Sequence, residues 1–459
     1  MARHELAVIG AGPAGLAAAI AAADAGLRVA LIDGAADAGG QFYRQTARQL
    51  HARRPERLYH GWSEWESLRD RLAAHRESER ITFLAERHVW HVEPADGDGF
   101  VVHAQVGPEQ QRSESVAAGG LVLAVGGYER VLPFPGWTLP GVLTAGGAQA
   151  MLKAGLVLPG RRVVVAGAGP LLLPVAGGLA AAGAEVAGVF DSSDPRAFGR
   201  HVRALAQNPE KLAEGVGYAA RLAWHGLRVR FRYSVIAVHG DERVEAVTVA
   251  GPDGSRGRRI ECDALAVSHG MLPHTEIAQT LGARIGIRGA VAVDTEQRTD
   301  VANLWAAGET TGIGGAALSL VEGEIAGRSA AARLRGDMPR DLAASQRTRR
   351  RLAAFAEALE DAYSAPAGWA DRVTDETVLC RCEEVTAASV REAVSELGAT
   401  DLRTIKLLTR AGMGWCQGRI CGPGVAGVAG CPLTPANTPF ARPVPLGVLA
   451  EIDDNGGSE

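Results

Sequence analysis

Apolar residues along the 459-residue chain come in short runs broken by glycine, and the runs alternate with alanine-rich segments of helical character. Leu6-Ala7-Val8-Ile9 has no polar face, as expected of a parallel strand covered on both sides. Gly10-Ala11-Gly12-Pro13-Ala14-Gly15 follows, then a predicted helix over Leu16–Ala25 that Gly26 ends, then a second apolar run from Val29 to Ile32 closing on Asp33. This order of strand, glycine turn, helix, strand and acid starts again at Arg161-Arg162-Val163, with Gly167 and Gly169 in the turn and a second run, Val186–Phe190, closing on Asp191. Further apolar strands are predicted at Leu121–Val125, Ala264–Val267 and Leu304–Ala307. From Leu334 to Arg372 the chain turns charged, with Leu342, Leu352, Phe355 and Leu359 near helical spacing until Pro366 and Gly368. The pattern is that of an α/β protein with two nucleotide-binding-type units, a helical connector and a small third domain.

Composition narrows the function classes. At 47% apolar and 22% charged the chain is neither disordered nor fibrous, and its 58 glycines have no three-residue period. A net charge of −4 gives no electrostatic reason to expect nucleic acid as a partner. Val163–Ala184 is uncharged over 22 residues, long enough for a bilayer, but its five glycines and two prolines, Pro170 and Pro174, fit a strand, turn and buried helix better. Glu5 and the glycine turn argue against a signal peptide at the N-terminus, so no transmembrane segment and a cytoplasmic location are expected.

The first glycine turn has the parts needed to hold a dinucleotide. Gly10 permits a tight turn, Gly12 lets the backbone approach a pyrophosphate, and Gly15 lets the helix pack against the strand. The helix N-terminus, at Pro13 and Ala14, turns its N–H groups and positive dipole end toward phosphate. Asp33, 18 residues beyond Gly15, is placed for ribose hydroxyls. Gly40 and Gln41 come just after it; Gln41 also has the plain reading of a turn cap. The second turn is degenerate. Leu172 stands at the third glycine position and Pro174 follows inside the expected helix, so the helix is expected to start late or kink and the phosphate cradle to change. NAD(P), an adenine nucleotide and a purely structural role stay open for this unit. His269 reads as a loop residue and Cys262 as a small buried residue. His51, His60, His75 and His91 lie among charged residues and are expected at the surface. No acid–base dyad or nucleophile stands out, so no catalytic residue is assigned.

Five of the six cysteines fall in the last eighty residues. Cys380-Arg381-Cys382 and Cys416-x4-Cys421 are separated by 33 residues, and glycines surround the second pair. Four thiolates from two loops suit a [2Fe-2S] cluster. Zinc, which more often uses C-x2-C or C-x4-C knuckles, and disulfides, for which C-x-C is tight, are the rivals. Arg381, Lys406, Arg410 and Arg419 would offer positive charge to an anionic cluster, and Cys431 is spare. Thr386 is expected to cap a helix from Ala387 to Leu397, and the proline-rich stretch from Pro432 to Pro445 to be extended.

These segments carry a resemblance. Thr299–Glu309 resembles the second FAD motif of two-dinucleotide-domain flavoproteins of the disulfide-reductase type, with Glu309 where aspartate is usual; Gly308, Gly315 and Ala316 belong to the same motif, and Leu121–Gly126 to the segment that closes the FAD domain. The C-terminal segment resembles the bacterioferritin-associated ferredoxin domain, which usually closes with C-x2-C. Taken together, the chain resembles the larger subunit of heteromeric amino-acid-type dehydrogenases, such as opine, D-hydroxyproline and L-proline dehydrogenases and hydrogen cyanide synthase. The resemblance implies two Rossmann-like domains and a small helical [2Fe-2S] domain: residues 1–155 with 275–335 for FAD, 156–274 for the second unit, 336–372 as connector, 373–432 for the cluster and 433–459 as tail. It also implies a D-amino-acid-oxidase-like beta subunit with its own FAD that oxidises an amino or imino acid, a small third subunit or an interface FMN in some members, membrane association only through the complex, and a relay role for this chain. The alternatives are an autonomous NAD(P)H-dependent reductase and a non-enzymatic assembly protein.

Overall fold

The computed structural model describes residues 4–450 except 96, 98, 252–256, 287, 367 and 435–437. Its first sheet has seven strands. Ile81–Leu84, Val29–Ile32, His4–Ile9 and the end of the long strand Arg112–Leu123 run parallel, and Leu304–Ala306 joins in parallel beside Leu121–Leu123. The beginning of Arg112–Leu123 instead forms an antiparallel meander with Phe100–Val106 and Arg87–Pro94. The continuous apolar run at Leu6–Ile9 has a direct cause: Leu6 and Val8 face a core built with the helices, while Ala7 and Ile9 face a second core beneath the meander.

Two helices lie together on this sheet, Pro13–Asp24 after the first glycine turn and Gly315–Arg333 after the second motif. Their backbones nearly touch at Gly323 and Gly327. A Cβ at Gly323 would stand 2.1 Å from the Ala14 carbonyl oxygen, and one at Gly327 would stand 2.2 Å from that of Ala18. This spacing of two glycines one helical turn apart sets how closely the two halves of the first domain meet.

The second sheet is entirely parallel, ordered Val229–Phe231, Glu185–Asp191, Arg162–Ala168, Ala264–His269 and Val142–Thr144, with a separate three-stranded meander beside it. Val142–Thr144 and the helix Ala145–Gly155 therefore belong to the second unit: Ala145, Ala148 and Leu152 pack into its core. This corrects the boundary expected after residue 155. The crossover is a two-stranded ribbon of Gly127–Glu129 with Met271–Pro273. No sequence signal marked it, because both segments are too short to show a period.

The connector forms the helix Ala343–Ala362. The third domain is a small hairpin, Val378–Cys380 with Val385–Thr386, and three helices, Ala387–Ser395, Leu402–Thr409 and Gly422–Ala429, around Leu379, Val390, Ile405 and Val425. Thr386 caps the first of these helices by accepting the Ser389 N–H. The domain is anchored to the second unit by the Trp137 indole N–H, which donates to the Val378 carbonyl at 2.6 Å. Of the tail, residues 438–442 pack on the body. The Ala441 N–H donates to the Trp90 carbonyl on the edge strand Arg87–Pro94, and Phe440 sets its ring edge-on to Trp90 at 5.0 Å. Residues 435–437 and 451–459 lie outside the described residues. Among the described residues no helix is long and apolar enough to cross a membrane; Val163–Ala184 is strand, turn and helix.

Gly323→Ala and Gly327→Ala are each expected to lower stability by about 1–3 kcal/mol through overpacking. Gly217→Ala, in an exposed helix with nothing within 4 Å, should be neutral or raise stability by up to about 1 kcal/mol. Urea unfolding of the three variants measures the contrast.

Candidate cofactor sites

The residues singled out for FAD converge. Gly10 turns the chain with φ +102°, which favours glycine, and a Cβ on Gly15 would stand 1.7 Å from the Gly10 carbonyl oxygen, so the helix sits hard against the strand as the motif requires. Asp33 accepts the N–H of Ala11 at 2.5 Å and of Ala35 at 2.7 Å. Its carboxylate thus braces the glycine turn from beneath; burial pushes its pKa up and these bonds oppose the shift. Gly39 and Gly40 cross over the same turn: the Gly39 N–H donates to Ala11 O at 2.8 Å, and Gly40 packs on the Gly12 Cα. Gln41 is exposed and its side-chain oxygen accepts from Arg44, the plain local role. The second motif meets the first at Gly308, beside the Ala14 methyl. Glu309 is drawn inward, its carboxylate accepting the Gly315 N–H at the start of the second helix, next to Ala316, and burial raises its pKa. The first helix N-terminus carries no side-chain cap and no acidic first turn, so its positive end is free, whereas at the second the Glu309 carboxylate already takes the Gly315 N–H. A glycine cradle, an uncapped helix end and inward carboxylates fit an FAD.

Sequence reading did not identify Glu322 or Lys153. Glu322 is buried at the end of the second motif. It accepts the Gly308 N–H at 3.0 Å and the Thr311 hydroxyl at 2.9 Å, and pairs with Arg349 of the connector helix at 2.9 Å. Lys153 is buried between the loop after Gln41 and the helix Ala145–Gly155, donating to the Phe42 carbonyl at 3.0 Å beneath the Tyr59 ring. Burial, with the charge of Arg44, pushes its pKa down to about 8. The only sequence signal was a lone cation in an otherwise apolar helix.

The second glycine turn is altered as expected. Its helix begins at Leu172, three residues after Gly169, where the first helix begins directly after Gly12. The late start resolves Pro174: it lies in the first turn, where its missing donor does no harm, and no kink is needed. The N–H groups of Leu172 and Leu173 are used by Gly169 and Pro170, which removes donors from any phosphate cradle. Leu172 is buried in the core. A narrow cleft remains at the strand ends by Gly167, Ser192 and His269, and Pro366, Trp369 and Arg372 of the connector line it too. His269 is fully enclosed and its pKa is pushed down to about 4 by burial. Cys262 is buried, its thiol pushed up to about 11 for the same reason. His51 and His60 are exposed and His75 pairs at the surface with Asp24 at 2.8 Å, but His91 stacks in an aromatic cluster with Trp90, His103 and Phe440, contrary to a surface role.

The four cysteines of the third domain come together from two loops. Hydrogen bonds link Cys382 to Cys416, Cys416 to Cys421 and Cys421 to Cys380. The Cys421 thiol and the N–H groups of Ile420 and Gly418 all point at the Cys416 sulfur and hold its pKa below the usual thiol range. Gly414 is pressed against Cys382, where a Cβ would stand 2.2 Å from the cysteine Cβ. A four-sulfur donor set with backbone N–H groups aimed at sulfur fits an iron–sulfur cluster. Among the described residues no set of three His, Cys, Asp or Glu is arranged for a single metal ion. Cys431 stands outside the four-cysteine group.

The positive charges near these loops are disposed otherwise than expected. Arg381 is exposed, and Arg410 is exposed and paired with Glu383 at 2.8 Å. Arg419 turns inward, and it is already neutralised. Its Nε donates to Glu276 at 2.5 Å, one Nη to the Cys416 carbonyl at 3.4 Å, and the other Nη to the Ala441 carbonyl. Burial opposes ionisation of Glu276, but the hydrogen bond with His274 and the charge of Arg419 prevail and hold it at about 2. His274 packs its ring on Tyr128 at 4.8 Å, donates its backbone N–H to Gly126 O, and its carbonyl accepts the Thr310 hydroxyl.

Comparison with known proteins gives the families of both parts of the chain. Residues 4–333 match the family described as pyridine nucleotide-disulphide oxidoreductase, and residues 378–428 match the BFD-like [2Fe-2S] binding domain. The chain is 33% identical to the HcnB subunit of hydrogen cyanide synthase from Pseudomonas protegens, covering 90% of this chain and 89% of that one. It is also 33% identical to an opine oxidase subunit of Agrobacterium tumefaciens, covering 91% and 84%. Among solved structures it is similar to an L-proline dehydrogenase from P. horikoshii, with TM-score 0.70 and 22% identity over 98% of this chain and 79% of that one, a likeness of fold.

Two outcomes are expected. Cys416→Ser should lose iron and acid-labile sulfide, whereas Cys431→Ser should keep both, by elemental and sulfide analysis of anaerobically purified protein. Because Lys153 titrates near 8 when folded and near 10.5 when unfolded, the unfolded chain holds more protons between those values, and stability should rise with pH across that window. Lys153→Met should lack that rise in urea titrations at stepped pH.

Proposed function

Because the chain belongs to the pyridine nucleotide-disulphide oxidoreductase family and ends in a BFD-like [2Fe-2S] domain, we propose that it is the electron-relay subunit of a heteromeric dehydrogenase. In this reading a D-amino-acid-oxidase-like partner subunit oxidises a C–N bond of an amino acid, imino acid or opine at its own FAD. Bound here, FAD would supply two-electron chemistry and a [2Fe-2S] cluster one-electron chemistry, with a quinone or other acceptor as the outlet. The residues proposed to hold FAD are Gly10, Gly12, Pro13, Ala14, Gly15, Asp33, Gly40, Gln41, Gly126, Gly308, Glu309, Gly315 and Ala316. Those proposed to hold the cluster are Cys380, Cys382, Cys416 and Cys421. This chain's own groups would bind and orient; the uncapped end of the first helix would face the FAD's negative charge, and the glycine loop at Cys416 would offer N–H groups to the cysteine sulfur.

The single observation that carries the reading is the junction of the cysteine loop with the FAD domain through Glu276 and Arg419. The names of the relatives, each one subunit of a larger enzyme, support the need for a partner. The rival, an autonomous NAD(P)H-dependent reductase, needs a dinucleotide in the cleft that Pro366, Trp369 and Arg372 line. With the partner subunit co-purified, proline, hydroxyproline, an opine or glycine should bleach both the flavin and the cluster bands, and NAD(P)H should leave the isolated chain unbleached. Bleaching of the isolated chain by NAD(P)H, or its full activity alone on one of those amino acids, would overturn the proposal.

A further inference from the structure

Arg419 lies between two cysteines of the cluster site, yet none of its hydrogen bonds goes to sulfur. Its three bonds reach three separate parts of the protein: Glu276 on the FAD domain, the Cys416 carbonyl in its own loop and the Ala441 carbonyl in the tail. Both partners of the ion pair are four-fifths buried, with side-chain exposures of 19% each. Glu276 is fixed in turn. It accepts the Thr275 N–H at 3.0 Å and bonds His274, whose own backbone is bonded to Gly126 and Thr310. Thr310 directly follows Glu309, and Gly126 ends the strand segment that closes the FAD domain. A short bonded path therefore runs from both of those FAD segments to the carbonyl of a cluster cysteine. The tail closes the junction from outside, since Ala441 is also bonded to Trp90 on the edge of the FAD-domain sheet.

A surface-exposed arginine would have served solubility equally well, and a buried arginine needs compensation that a cluster loop does not require for itself. A buried pair is costly to desolvate and is weak evidence for stability. It is well suited to fixing geometry, because a guanidinium with three acceptors has one orientation in which all are satisfied. We infer that Glu276 and Arg419 are positioning residues that lock the Cys416–Cys421 loop at one distance and orientation relative to the FAD domain, so that electron transfer between the two cofactors depends on this ion pair. The inference rests on the relay reading above.

The test uses the full chain, purified anaerobically as wild type, Glu276→Gln and Glu276→Ala. Flavin is reduced by illumination with deazaflavin and EDTA as electron donor, and cluster reduction is followed by its visible bands and by EPR. Amide hydrogen exchange is measured over residues 414–421 and 438–442 in the same samples. The expected result is unchanged iron and FAD content, cluster reduction slowed roughly tenfold in Glu276→Ala, a smaller effect in Glu276→Gln, which keeps the acceptor but not the charge, and faster exchange in both segments. Equal transfer rates and equal exchange in all three proteins would overturn the lock while leaving the relay intact. A wild-type cluster that stays oxidised beside reduced flavin would overturn both. Loss of iron from the Gln variant as well as the Ala variant would also overturn it, by making the pair a requirement for cluster assembly and not for its placement.

Discussion

The first domain depends on the contact of two helices at less than ordinary side-chain distance. One helix opens from the first glycine turn and the other from the second motif, and they are separated by nearly three hundred residues of chain. Gly323 and Gly327 let the second helix lie on the backbone of the first. With any side chain there, the helices would stand apart, Gly308 would leave Ala14, and the two motifs would not share one cradle. Apolar burial holds the helices on the sheet, but it is non-directional; the glycines decide the separation.

A second constraint joins the cysteine domain to this scaffold, and it is polar. Trp137 holds the hairpin, Arg419 and Glu276 hold the loop, and Ala441 straps the loop to the edge of the first sheet. Each link is a directional bond between elements far apart in sequence. Such bonds add little net free energy compared with the core, yet they select one arrangement among many that would bury similar area. The same logic explains Glu322, which ties the second motif to the connector helix through Arg349.

The second unit shows what happens to a nucleotide fold when its cradle is not kept. The sheet keeps its parallel order and its buried acid, Asp191, while the helix start is delayed and its first donors are satisfied locally. Leu172, which breaks the glycine pattern, becomes a core residue. The strand ends are then lined by the segment that leads to the cysteine domain. The unit thus serves as the platform on which the third domain is mounted, with Pro133 against Gly424 and the Trp137 indole on the Val378 carbonyl.

Much of this was legible in the amino-acid order because the determinants are local. A short apolar run without a polar face, bounded by glycine, suits a strand covered on both sides, a glycine before a helix marks a turn at close quarters, and paired cysteines at short spacing mark a ligand loop. Those rules placed the two glycine turns, the capped helix at Thr386 and the four-cysteine set. What the sequence left open was decided by contacts between distant segments: that residues 142–155 complete the second sheet, that His91 lies in an aromatic cluster, that Lys153 is buried, and that Arg419 turns from the sulfurs toward Glu276. A charged side chain has the same local signature whether it faces water or a partner, and only the folded chain, by bringing that partner within bonding distance, determines which.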